Sequence, residues 1–328
     1  MARVVRFHAA GGPETLRVDQ LELGAPGEGD VRIRVGAIGL NRVEAMFRSG
    51  VMGLPALPST LGYEAAGVIE AVGPGVAGRK VGDRVATLPG LSMETYGTYA
   101  DTIFYPADRL IRLPAEMNLE EAAASWMQYL TAYALVDVAN IQPGDAAVIT
   151  AASSSVGLAA IQIANLLGAT PIAVTRGPDK AAALIDHGAG HVVVSETQDL
   201  AKTVLQLTGG RGARVVFDAV GGETLPQLVD LASRRGTIII YGSLAGAVAP
   251  LPLPQAMLKS LTVRGFAMND MVADAPVRRA AIDFVRQGFA SGRLRPVIDS
   301  VFELEDIVEA HRRLESNAQL GKILVRVS

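Results

Sequence analysis

At 328 residues the chain exceeds one ordinary domain, and 49% hydrophobic against 19% charged residues supplies two packed cores, which excludes general disorder. A net charge of −3 with no Lys/Arg run argues against nucleic acid or an anionic membrane as partner. The lack of cysteine removes disulfides, thiolate metal sites and a cysteine nucleophile together.

The opening Met1-Ala2-Arg3-Val4-Val5-Arg6-Phe7-His8 has no apolar core long enough for a signal peptide, so a cytoplasmic protein is expected. Val31-Arg32-Ile33-Arg34-Val35 alternates with period two, as a half-buried strand does. Ala65 to Gly73 and Lys80 to Ala86 are further short apolar runs punctuated by Gly or Asp, and the set predicts a small β-barrel. Leu119 to Val138 then turns helical, with Ala122, Ala123, Trp126 and Leu130 near helical spacing.

The middle third alternates strand and helix: Ala146–Thr150, Val156–Leu167, Pro171–Thr175, Asp179–His187 and His191–Val194, then strands at Val215–Asp218 and Thr237–Tyr241. That rhythm predicts a parallel, doubly wound α/β sheet. No residue between Asp145 and Arg176 is charged, but Ser153, Ser154, Ser155, Gln162, Asn165 and Pro171 interrupt the run. A buried strand–helix–strand unit explains it better than a membrane span. After Leu261–Gly265 come a long helix near Val277–Ser291 and a closing strand–helix–strand tail, Val301-Phe302, Asp306–Leu314 and Ile323–Val327, expected to return to the first domain.

The strongest chemical signal is Ala151-Ala152-Ser153-Ser154-Ser155-Val156-Gly157, between a buried strand and a helix. Ala151, Ser154 and Gly157 take the small positions of a Gly-x-Gly-x-x-Gly variant, whose backbone approaches a pyrophosphate while the helix N-terminus supplies N–H donors. An acid at the end of the next strand would select NAD. This chain has Thr175-Arg176-Gly177-Pro178-Asp179-Lys180, and Arg176 with Lys180 favours the 2′-phosphate of NADPH. His187 and His191 are four apart, but Gly188 and Gly190 between them make a loop, and His8 and His311 are isolated, so no metal site is expected.

Leu61 to Gly73, Val81-Gly82-Asp83-Arg84-Val85, Leu130-Thr131-Ala132-Tyr133, the Ser-rich turn, Phe217-Asp218-Ala219-Val220-Gly221-Gly222 and Gly321-Lys322-Ile323-Leu324 follow one another in a family's order. The chain resembles the medium-chain dehydrogenase/reductases, and in particular their zinc-free NADPH:quinone oxidoreductase-like branch. The resemblance implies a GroES-like catalytic domain over 1–122, a Rossmann NADPH-binding domain over 123–264, and a return to the catalytic domain over 265–328. Zinc-dependent members hold the metal with two cysteines and a histidine. Here those positions look like Asn41, Tyr63 and a place near Gln128.

Without zinc, a hydride from NADPH would go to a quinone or an α,β-unsaturated carbonyl. Tyr63, Asn41 and Gln128 are then the candidate catalytic donors to the reduced oxygen, Tyr63 first among them. By resemblance Thr131 lies against the nicotinamide, Gly242 and Ser243 line the cofactor cleft, and Lys322 reaches the cofactor. Met46, Met52, Trp126, Phe266 and Met268 are candidates for an apolar substrate pocket, although such residues also serve as plain core. Two alternatives stand beside this reading: a reductase of one specific enone or enoyl thioester, and a non-enzymatic NADPH-binding protein with a structural or sensing role. A homodimer is expected by analogy with relatives, Leu231 to Gly242 supplying an edge strand.

Overall fold

The alternating Val31–Val35 run lies inside a ten-residue strand, Asp30–Gly39, of a computed structural model that describes residues 1–328. Val31, Ile33 and Val35 are buried while the Arg34 side chain faces solvent. This strand pairs antiparallel with Glu64–Val72, with Thr102–Pro106 and with the C-terminal Lys322–Arg326. It is the central member of a seven-stranded sheet. A smaller sheet is built on Ala2–Phe7. The chain divides into two units: Met1–Met127 with Pro296–Ser328, and Gln128–Arg295.

Two local expectations in the first unit change. Of Lys80–Ala86 only Arg84 onward is strand, running to Thr87. Lys80–Asp83 is a turn, closed by the Lys80 N–H donating to the Asp83 carboxylate, with Gly82 at φ +89°. The single helix over Leu119–Val138 is three pieces, Leu119–Ala123, Trp126–Ala132 and Ala134–Asp137. The first break has a cause: the Glu64 carboxylate accepts the Trp126 and Met127 N–H groups at 2.6 and 3.0 Å and so starts a new helix.

In the second unit six strands pair in parallel: Ala146–Ile149, Thr170–Thr175, His191–Val194, Ala213–Asp218, Ala232–Ile240 and Thr262–Gly265. Numbered along the chain, their spatial order is 3-2-1-4-5-6, the order of a doubly wound dinucleotide-binding sheet. The strand over Ala232–Ile240 is interior, with partners on both sides, and the edge belongs to Thr262–Gly265. Thr237–Ile240, within the expected edge segment Leu231 to Gly242, is therefore covered on both sides. This unit runs past 264 to Arg295 because the long helix Ala275–Ala290 packs on it. Phe284 meets Tyr133 and Phe289 meets Tyr129, while Gln162 hydrogen-bonds the Arg295 backbone through both its amide atoms.

The uncharged run from 146 to 175 is a buried strand, the helix Ser155–Leu166 and a second buried strand. No helix is long and apolar enough to cross a membrane.

Candidate active site

In the second unit the order of strands reverses between Ala146–Ile149 and Ala213–Asp218, and the turn 150–154 leaves the carboxyl end of the first of these. Ligands of open α/β sheets bind outside such a reversal. Ser154 caps the helix Ser155–Leu166, its Oγ accepting the Gly157 N–H at 3.0 Å. A Cβ on Gly157 would meet the Cα and carbonyl of Ala152 at 2.6 Å, so only glycine lets this turn close on the helix. Ala151 adopts φ 44°, which the tight turn demands and its small side chain tolerates. Opposite, Asp218 is buried and accepts the Thr150 hydroxyl at 2.6 Å and the N–H groups of Val220 and Gly221. It thereby orders the loop that leads to the Gly221-Gly222 turn.

The basic residues stand at the end of the second strand. Lys180 donates to the Ser153 hydroxyl at 3.3 Å, which sets its ammonium on the nucleotide turn itself, and Arg176 is exposed beside it. Thr175 ends the strand, and its carbonyl accepts from the Ser195 N–H and hydroxyl. Ser155 and Val156 open the helix, partly exposed as a ligand-facing terminus should be. Gly242 and Ser243 follow the strand Ala232–Ile240 and pass close to Gly221. The missed residue here is Glu196, whose carboxylate would lie 3.6 Å from a Cβ on Gly177 and tempers the positive end. Its place follows from the pairing of two strands, which no local motif announces.

In the first unit the candidate donors sit in a buried polar cluster. The antiparallel register of Lys322–Arg326 on Asp30–Gly39 pairs Leu324 with Gly39 and brings Lys322 across from Asn41. The Lys322 ammonium donates to Asn41 Oδ1 at 2.7 Å and to Glu64 Oε2 at 2.5 Å, with both charged side chains fully buried. The Asn41 amide donates to the Gly39 carbonyl and to Glu44 Oε1, each at 3.1 Å. Glu44 also accepts the N–H groups of Asn41 and Tyr63 at 2.6 and 2.9 Å, and the Tyr99 hydroxyl at 2.5 Å. Burial raises the Glu44 carboxyl above the ordinary glutamate range, and the Tyr99 hydroxyl and Asn41 draw it back.

The cluster continues outward with one direction. A guanidinium can only donate, so the Arg48 contact at 3.1 Å makes His311 Nδ1 the acceptor and puts the ring proton on Nε2. Nε2 then donates to the Tyr99 oxygen at 3.2 Å, and Tyr99 donates on to Glu44. Arg48, itself buried, is paired with Glu315 at 2.7 Å.

Asn41 has two amide hydrogens, and Gly39 and Glu44 take both. Lys322 is 1% exposed and donates to Asn41 and Glu64. Trp126, also 1% exposed, lies in the core. Tyr63 is 8% exposed and held by its backbone on Glu44 and Thr87. Gln128 and Thr131 lie buried on the helix Trp126–Ala132. Met46 is half-buried and Met52 exposed in the first unit, while Phe266 is half-buried and Met268 buried in the second. The charged members Glu44 and Glu64 were missed. An Asn followed three residues later by Glu is a capping-box pattern and was the available signal for Glu44.

Residues 155–287 match a family model described as "Zinc-binding dehydrogenase", and residues 27–115 one described as "Alcohol dehydrogenase GroES-like domain". Quinone oxidoreductase 1 of Escherichia coli K12 is 34% identical, the match covering 99% of each chain. A 2-haloacrylate reductase of a Burkholderia species is 33% identical over 99% of this chain and 98% of its own. The crystal structure of Escherichia coli quinone oxidoreductase complexed with NADPH superposes with a TM-score of 0.92 at 33% identity, covering 99% of this chain and all of that one. The zinc in the first description does not fit the residues present. The chain has no cysteine, no three His, Asp or Glu side chains cluster as ligands, and Asn41 Oδ1 is bonded to an ammonium. The Ser-rich turn, in contrast, fits a dinucleotide: Ser153 to Val156 are partly exposed at the N-terminus of the helix Ser155–Leu166. With relatives a third identical from end to end, the chain belongs to the medium-chain dehydrogenase/reductase superfamily, in its quinone oxidoreductase branch.

Proposed function

We propose that the chain is an oxidoreductase that uses NADPH to reduce a quinone or an α,β-unsaturated carbonyl without a metal ion. The observation that carries this reading is the pairing of Lys180 with Ser153, which joins the basic end of the second strand to the nucleotide turn. A ribose 2′-phosphate bound there meets the ammonium and the exposed Arg176 guanidinium, where an NAD enzyme would present a carboxylate. The N–H groups at the start of the helix Ser155–Leu166 take the pyrophosphate. Bound NADPH supplies the hydride.

The protein's own contribution is orientation and a hydrogen-bond donor. As the acceptor is reduced, negative charge grows on its oxygen, and a donor held in place beforehand stabilises that charge most. Tyr63 is the candidate for that task, since its backbone is fixed by Glu44 and Thr87 while Asn41 is spent on its neighbours. Steady-state oxidation of NADPH with 9,10-phenanthrenequinone and with simple enones tests the reading. Turnover with either supports it, and tight NADPH binding with no oxidation by any acceptor refutes it in favour of a non-enzymatic role.

A second reading, reduction of one particular activated alkene, draws support from the 2-haloacrylate reductase among the relatives. It predicts a kcat/KM for such an alkene orders of magnitude above that for any quinone.

A further inference from the structure

We infer that Glu196 sets the cofactor preference of this chain: its carboxylate, on the third strand of the parallel sheet, takes the part of the acid that an NAD site carries on the second, so that NADH binds nearly as well as NADPH. This rests on the dinucleotide site proposed above and says which dinucleotides that site accepts.

Two strands make the placement. Thr170–Thr175 and His191–Val194 pair in parallel, with Thr175 opposite Val194. The ladder runs on past their ends: the Ser195 N–H donates to the Thr175 carbonyl at 2.9 Å and the Glu196 N–H to the Arg176 carbonyl at 3.2 Å. Glu196 therefore leaves the sheet beside Arg176 and Gly177, at the carboxyl edge where the ribose of a dinucleotide is read. Gly177 gives its side chain room. A Cβ on Gly177 would lie 3.6 Å from Glu196 Oε2, and apart from its chain neighbours nothing else stands within 4 Å.

Arg176 and Glu196 are opposite in charge and bonded through their backbones, yet they form no ion pair. Both side chains are exposed, and neither is spent on another group of the protein. Each is free to meet a different ligand. A carboxylate only accepts, and the ribose hydroxyls of NADH are donors that suit it. An ionised 2′-phosphate has no hydrogen to give and carries like charge, and exposed charges within about 8 Å of each other still repel at physiological salt. Arg176, together with Lys180 on Ser153, pulls the other way. The cations after the second strand favour NADPH, the acid after the third favours NADH, and the two nearly cancel.

The test reads binding rather than turnover. The full chain is titrated with NADPH and with NADH, following the fluorescence of the reduced nicotinamide. For the wild type the two dissociation constants should lie within about tenfold of each other. Glu196→Gln keeps the size of the side chain and removes its charge. It should tighten NADPH about 3- to 10-fold and weaken NADH about 2- to 5-fold in about 20 mM salt. The gain for NADPH should shrink below about twofold in about 0.5 M salt, as an effect of charge must.

A wild-type preference beyond about tenfold for either cofactor overturns the inference, and so does a Glu196→Gln variant whose ratio of the two constants stays within about twofold of the wild type's. Asp179 is the other exposed acid of this turn. Should Asp179→Asn shift the ratio as far, the assignment to Glu196 falls. Binding of neither cofactor refutes the dinucleotide site and the inference together. Binding of both as described, with no acceptor reduced, refutes the reductase reading alone and leaves the inference standing.

Discussion

Acid should unfold the first unit through His311, and the size of the effect follows from its surroundings. Burial, then the charges of Arg48 and Arg42, push its pKa down to about 3 from 6.5. Between those values the unfolded chain binds the proton and the folded chain does not, so stability is lost as pH falls below 6.5. The loss from this one group is about 2 kcal/mol at pH 5 relative to pH 8, and it grows by about 1.4 kcal/mol per pH unit until pH 3. His311→Gln removes the titration. It also deprives Arg48 or Tyr99 of a partner, which costs about 1–3 kcal/mol at neutral pH.

The assay is built into the chain. Trp126 is the only tryptophan, buried in the same unit as His311, so its fluorescence in a urea titration follows that unit. At pH 7.5 the variant should unfold at lower urea than the wild type, and by pH 5 the gap should narrow by about 2 kcal/mol. A gap constant to within about 0.5 kcal/mol over that range would mean that folding leaves the His311 pKa near its ordinary value, and the argument from burial beside Arg48 and Arg42 would be wrong.

Three other outcomes are expected. Arg176→Ala should raise KM for NADPH about 10- to 100-fold and leave NADH within about twofold; equal losses for both would remove the 2′-phosphate contact from the argument. Tyr63→Phe should lower kcat about tenfold or more with an unchanged dissociation constant for NADPH, measured by fluorescence titration, whereas unchanged turnover would reduce Tyr63 to wall packing. Gly39→Ala should cost about 1–3 kcal/mol in thermal unfolding, because the added methyl strikes Lys322 and the Ala123 carbonyl, while Gly24→Ala, with nothing within 4 Å, should stay within about 0.5 kcal/mol.

The second unit was legible because its rules are local. The strands Ala146–Ile149 and Thr170–Thr175 are short apolar runs, the helices Ser155–Leu166 and Leu200–Leu207 start after the small polar caps Ser154 and Asp199, and the Ser154 cap with Gly157 can be read within seven residues. What local pattern hides is order across the sheet. Ala232–Ile240 buries Thr237–Ile239 while Thr262–Gly265 is mostly exposed, and the pairing of the second outside the first makes it the edge. The helix over Leu119–Val138 failed for a related reason. Its periodicity is sound, but a carboxylate more than fifty positions earlier in the chain takes the Trp126 and Met127 N–H groups and restarts it.

The polar cluster of the first unit was only half legible, and the cause is hydrogen-bond stoichiometry. Tyr63 and Asn41 stand out as residue types where the family would carry metal ligands, but a type says what a side chain is able to donate, not what it has left to donate. Asn41 has two amide hydrogens, and Gly39 and Glu44 take both. The reason they can is Lys322, which lies 281 positions away and arrives through the register of the last strand. A buried cation on the oxygen side and a buried anion on the nitrogen side leave the amide one stable orientation. Asn41 is thereby turned inward, and Tyr63, whose backbone N–H Glu44 accepts, is the residue proposed to meet the reduced oxygen.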